Sequence, residues 1–204
     1  MSLAKSKKII ELYGLPGGGK TTFTKELVEQ GVTLIPYDDG KLKYFTITFR
    51  YPLTVIVWLL VIVINLRVTK NFQILRYDIS LLFSSLKKLH DAKRHSDTVV
   101  VVDEGLVQRL LSYSYVTYTH KQINNLLKFS PLGNLLIHVN HHTIISDRFN
   151  VAHVRLSSGS ALFQIWQNNL TANLQTLLEV LESDKRYQDT KSLTAEQIVK
   201  NNQL

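Results

Sequence analysis

The chain has 204 residues, with 24 lysines and arginines against 16 aspartates and glutamates, a formal charge of +8. Hydrophobic residues make up 45%, which excludes a disordered chain and suits one domain with one core. Cysteine is absent, which excludes disulfides, thiolate metal sites and a cysteine nucleophile.

The first eight residues are basic, and the apolar run after them, Ile9–Tyr13, is too short for a signal-peptide core. The expectation is a protein kept in the cytoplasm. The positive balance points to anionic partners. Its cations are scattered and nowhere interleaved with aromatics in the manner of a single-strand groove, which argues against nucleic acid.

Taken in order, Lys8–Tyr13 reads as a strand and Lys20–Gln30 as a helix ended by Gly31. Val32–Pro36 reads as a second strand closing on Tyr37-Asp38-Asp39-Gly40. Leu53–Ile64 is almost wholly apolar, with 16 residues between Arg50 and Arg67. At 1.5 Å per residue a helix of that length reaches roughly 24 Å, short of a ~30 Å hydrocarbon core. The expectation is therefore a buried helix, with a peripheral contact to a membrane or partner protein left open as the alternative. Phe72–His95 has helical periodicity, with Leu75, Ile79, Leu82, Leu86 and Leu89 on one face. Thr98–Val102 carries four successive valines, apolar on both faces as a central parallel strand requires. Leu135–Val139 is a further buried strand, Ala161–Leu181 a long helix, and Thr194-Ala-Glu-Gln197 a capping box for a last short one. Strands alternating with helices predict a three-layer α/β domain around a parallel sheet, spanning 1–204 without a linker.

Between the first strand and first helix, Gly14-Leu15-Pro16-Gly17-Gly18-Gly19-Lys20-Thr21 satisfies G-x-x-x-x-G-K-[ST] at every fixed position, with Thr22 following. Glycines let backbone amides turn inward to cradle a phosphate, where side chains would obstruct them. The helix start adds its positive end. Lys20 is then a point charge for β- and γ-phosphate oxygens, and the Thr21 hydroxyl a ligand for Mg²⁺. The loop implies a nucleoside triphosphate, ATP or another, as cofactor. The valine strand ends in Asp103-Glu104; parallel strands place their carboxyl ends on one edge, so Asp103 is expected near Lys20 and Thr21 in the magnesium shell.

These patches make the chain resemble the P-loop NTPase superfamily, and within it the small-molecule kinases of nucleoside and nucleotide type. Asn140-His-His-Thr does not match the guanine-reading motif of GTPases, and no Leu-Ser-Gly-Gly-Gln precedes the acidic strand as in ABC ATPases. The resemblance implies a P-loop NTPase fold with a helical acceptor-side insert, at about 41–95 here, and a lid at about 146–160. It implies lid arginines, for which Arg148 and Arg155 are the candidates; they stand seven apart, where the family often spaces them by four. It implies an acidic base after the second strand, where Asp38 and Asp39 stand; as residues alone they read equally well as a turn before Gly40. These kinases follow the third strand with an acid-Arg-Ser triplet, whereas this chain has Asp103-Glu104-Gly105, with Gln108 and Arg109 a turn later. The implied activity is transfer of a γ-phosphoryl group from ATP, with Mg²⁺, to a small-molecule acceptor the sequence does not name. The alternative is a nucleotide-operated switch that engages a membrane or protein through 53–64. His138, His141 and His142 read as strand-end and loop residues rather than metal ligands, and Tyr113, Tyr115 and Tyr118 as core.

Overall fold

A computed structural model describes residues 7–36, 43–140, 160–189 and 194–202. Five strands run in parallel: β1 (Lys8–Tyr13), β2 (Thr33–Leu34), β3 (Val99–Val102), β4 (Leu135–His138) and β5 (Tyr187–Asp189), in the spatial order β2-β3-β1-β4-β5. β1 sits at the centre, with Ile10 opposite Val101 on one side and Leu135 on the other. This position explains its largely apolar composition, with Glu11 the exception, because a strand covered on both faces has little use for polar alternation.

Residues alternate between the two faces. Ile10 and Leu12 of β1, Val101 of β3 and Ile137 of β4 pack with Phe23 and Leu27 of α1 (Lys20–Glu29) and with Ile198 and Val199 of α8 (Ala195–Asn202). Ile9 and Tyr13, Val100 and Val102, and Leu136 face a larger helical layer. That layer contains α2 (Lys43–Arg50), α3 (Pro52–Thr69), α4 (Phe72–Arg94), α5 (Leu106–Ser112), α6 (His120–Lys128) and α7 (Ala161–Leu181). Sheet and two helical layers make three layers, as expected.

Local signals set several boundaries. Gly31 takes φ +86° just past α1, the left-handed conformation glycine adopts at little cost. The Asn71 side chain accepts from the amides of Gln73 and Ile74 at the start of α4. Thr119 with Gln122 and Thr194 with Gln197 form the reciprocal capping pairs that open α6 and α8. The second strand is shorter than the sequence suggests, two residues in place of five.

One expectation needs correction. The apolar run is helical, but α3 is buried on one face alone: Val55, Trp58 and Ile62 are enclosed, while Leu53, Ile56 and Leu60 are more than half exposed. Length and hydropathy told nothing of sidedness, because apolar residues occupy both faces. The tyrosines behave as expected: Tyr113, Tyr115 and Tyr118 are buried. His138 is also buried, inside β4, with its ring stacked on Tyr13 at 5.4 Å between centroids. His141 and His142 lie outside the described residues, and no three metal-capable side chains cluster among the described ones.

Candidate phosphate-binding site

β1 delivers the chain to Gly14, and α1 leads it away from Lys20. Gly14, Gly17 and Gly19 all take positive φ, at 152°, 78° and 89°. The bend is tight enough that a Cβ on Gly14 would lie 2.5 Å from the Val139 carbonyl oxygen. Any other residue at 14 would open the loop. Inside it, the Gly18 amide donates to Leu15 O at 3.0 Å. Gly19 caps α1 without a side-chain hydrogen bond, and the first turn holds no acidic residue. First-turn amides have no partner within a helix, so here they are available to an anion.

The Lys20 ammonium reaches back over the loop and donates to Gly14 O and Leu15 O at 2.9 and 3.0 Å. Burial, with help from the Arg109 charge, lowers its pKa to about 8, against the opposing pull of Glu104 and Asp103. Thr21 and Thr22, both exposed, follow on the first turn of α1. With Pro16 and Gly17 they line a cleft of about 330 Å³ that also takes in Asp103, Glu104 and Arg109. The sheet edge has thus brought Lys20, Thr21 and Asp103 together, as the strand-end argument expected.

Lys88, Ser85, Arg109, Gln108 and Glu11, which the sequence reading left outside the site, complete it. Asp103 pairs with Lys88 of α4 at 2.7 Å and retains 35% side-chain exposure toward the cleft. Arg109 pairs with Glu104 at 2.7 Å and donates through Nε to Ser85 Oγ at 2.8 Å, while Ser85 donates to the Glu104 carbonyl. Gln108 accepts from the Gly14 amide at 3.0 Å, tying the mouth of the phosphate loop to α5. Gln108 and Arg109 owe their place to Glu11, a buried carboxylate in mid-strand that accepts from Val107 N at 2.8 Å and Gly133 N at 3.1 Å. Glu11 serves as the cap of α5 from a distance in sequence that no local pattern reveals. Its burial raises its pKa, against the lowering effect of those amides.

The cleft also has an apolar and aromatic wall: Tyr77 and Leu81 of α4, Leu111 of α5, and Trp166 and Leu170 of α7. The Trp166 indole donates to Ser112 O at 3.1 Å, locking α7 to the end of α5. Behind this wall lies Asp78, 4% exposed, whose pKa is pushed up to about 7 by burial in spite of the Arg109 charge. Asp38, Asp39, Arg148 and Arg155 lie outside the described residues, as does all of the expected lid at about 146–160 except Ser160. Among the described residues, Arg109 is the arginine that lines this cleft.

Two solved structures of deoxyadenosine kinase from M. mycoides share this architecture. The first, with its products dCMP and a flexible dCDP bound, is 17% identical, with a TM-score of 0.51 over 95% of this chain and 94% of that one. The second, with dATP bound, is 16% identical, with a TM-score of 0.50 over the same shares. The fold is that of a P-loop nucleoside kinase. At such identity the likeness speaks for the fold alone, and any reading of the site rests on the residues just described. No protein-family model matches the chain, and no curated protein matches it.

Proposed function

We propose that this chain is an ATP-dependent phosphotransferase that moves a γ-phosphoryl group to a small-molecule acceptor held against the Tyr77–Trp166 wall. The observation that carries this reading is one cleft lined by two chemically different sets of residues. One set is a glycine cradle with an ammonium and a helix start, and the other is apolar and aromatic. A hydrolase needs only the first. The second is what a small organic acceptor would require. Deoxyadenosine kinase, which shares the fold, gives that acceptor a candidate class: a nucleoside, with the tyrosine and tryptophan rings suited to a base.

In this reading the loop amides and Lys20 hold the β- and γ-phosphates, and positioning with charge stabilisation supplies most of the rate. The residues present fit a magnesium ion of the kind held chiefly by substrate phosphates: Thr21 offers a hydroxyl and Asp103 a half-open carboxylate. Bound there, the ion would neutralise charge on the phosphates. Lys88 fixes the Asp103 carboxylate, and Arg109 stands beside Glu104 with a guanidinium suited to charge on the transferring group. Asp38 or Asp39 would serve as base toward the acceptor hydroxyl, and Arg148 and Arg155 as lid residues. The whole chain acts as one domain, with the insert on the acceptor side.

Screening pooled nucleosides and other small hydroxyl compounds for acceptor-stimulated ADP release tests the assignment, with Lys20→Ala as control. Stimulation by an acceptor, lost in the variant, is the expected result. Nucleotide turnover that no acceptor alters would favour the switch reading instead, which the exposed face of α3 supports.

A further inference from the structure

The exposed face of α3 is continuous. Leu53, Ile56, Leu60, Val63 and Ile64 are 61, 55, 59, 46 and 42% exposed and recur at the spacing that brings side chains onto one stripe. Val68, a turn further on, and Phe72, at the start of α4, are also exposed, at 39 and 73%, with the exposed Arg67 and Lys70 among them. Isolated exposed apolar residues are ordinary; an apolar stripe running from Leu53 to Ile64 marks a contact surface.

Charge identifies what it contacts. From Lys41 to Tyr77 the sequence contains no aspartate or glutamate, yet it has Lys41, Lys43, Arg50, Arg67, Lys70 and Arg76. Arg50 is at one end of α3, with Arg67 and Lys70 at the other, all exposed. At the Arg50 end a cleft of about 380 Å³ joins Arg50 and Lys128 to Tyr51, Leu53 and Phe129, so cationic and apolar groups share one recess. Lys93 stands over the Tyr51 ring at 5.8 Å, and its pKa is lowered chiefly by burial and then by the Arg50 charge, against the pull of Glu11.

Three occupants can be weighed. A span across a bilayer would require α3 to leave the protein, but its other face is bonded in: Trp58 donates to Ser130 Oγ at 2.9 Å, Asn65 to Tyr118 OH at 3.0 Å, and Thr54 to Phe129 O. A second copy meeting the same face would set Arg50, Arg67 and Lys70 of both copies together, with no carboxylate in the stretch to offset them. An anionic bilayer suits both features. Apolar side chains of an in-plane helix enter the acyl boundary while long cationic side chains reach headgroup phosphates, at about 1 kcal/mol per cation.

We propose that the α3 face is a membrane-docking surface that lays the protein on an anionic lipid bilayer. Leu53, Ile56 and Leu60 enter the interface, and Arg50, Arg67, Lys70 and Lys128 contact phosphate headgroups. Docking does not depend on which acceptor the cleft takes.

Flotation of the full chain with vesicles of phosphatidylcholine alone, and of phosphatidylcholine mixed with phosphatidylserine, tests it. The wild type is expected to float with the mixed vesicles at low salt, to detach as salt rises, and to leave the neutral vesicles empty. Ile56→Glu combined with Leu60→Glu should cut partitioning by more than about tenfold, with ATP affinity unchanged as the check on folding. Arg67→Glu with Lys70→Glu should weaken it in the same direction. No flotation with anionic vesicles, or undiminished flotation of the Ile56/Leu60 variant, overturns the proposal. So does a wild-type dimer that this variant dissociates in the absence of any lipid binding, which would assign the face to a second copy.

Discussion

Lys20, Arg109 and Asp78 are three charges placed where burial and neighbours alter what they can do. With an ammonium pKa of about 8, Lys20 is charged below that pH and neutral above it in the free protein. A bound triphosphate favours the charged form, so nucleotide affinity should be constant below pH 8 and fall by up to about tenfold per unit above it. Calorimetry across pH 7 to 10, as a set of roughly three units, should show that slope in the wild type and a flat, weaker profile for Lys20→Ala. Arg109 acts through geometry as well as charge, because its guanidinium bonds Glu104 and Ser85 at once. Arg109→Lys keeps the charge and loses the fork, and should lower acceptor-stimulated turnover by about tenfold to hundredfold while leaving ATP affinity within about threefold.

Asp78 gives a signature in stability. Its folded-state pKa of about 7 lies above the ordinary 3.8, so between those values the unfolded chain gives up its proton before the folded one does. Stability contributed by the neutral carboxyl is complete below about pH 4 and is lost as pH rises toward 7. The slope is up to about 1.4 kcal/mol per unit. Asp78→Asn should remove that slope in urea melts taken over the same window.

At the scale of elements, the short helix α5 decides the site, because it carries Gln108 to the phosphate loop and Arg109 to Glu104. Its start is held by Glu11, and Gly105 leaves room for that carboxylate: a Cβ there would run into the Glu11 side chain. Gly105→Ala should destabilise the fold by about 1–3 kcal/mol in urea denaturation and weaken ATP binding through the displaced Gln108. Periodic or capped helices such as α1, α4 and α7 were legible in the sequence to within a residue of their ends. α5 was not: seven residues give little periodicity, and its cap comes from β1, 96 positions away. The same limit applied to β5, three residues long and recognisable only by its register against β4.

For the molecule as a whole, a ligand that grips the loop joins β1, α1, β3 and α5, so its binding should stabilise the entire fold. Saturating ATP with magnesium at about a hundred times its dissociation constant would contribute about 2.7 kcal/mol. At about 2–4 °C per kcal/mol for this chain length, the expected rise in Tm is roughly 5–11 °C. Differential scanning calorimetry should show it in the wild type and not in Lys20→Ala.

The sequence by itself determined the phosphate loop, the acidic strand end, the parallel sheet and the long helices. Each of these is encoded by neighbours in the chain: a glycine spacing, an apolar run, a periodic face. Only the tertiary structure decided that Lys88 would hold Asp103, that Glu11 would cap α5 and that Arg109 would stand at the cleft. It also decided which face of α3 would meet solvent. Such pairings are made by chain segments far apart in sequence, where burial and packing choose the partner and no local pattern records the choice.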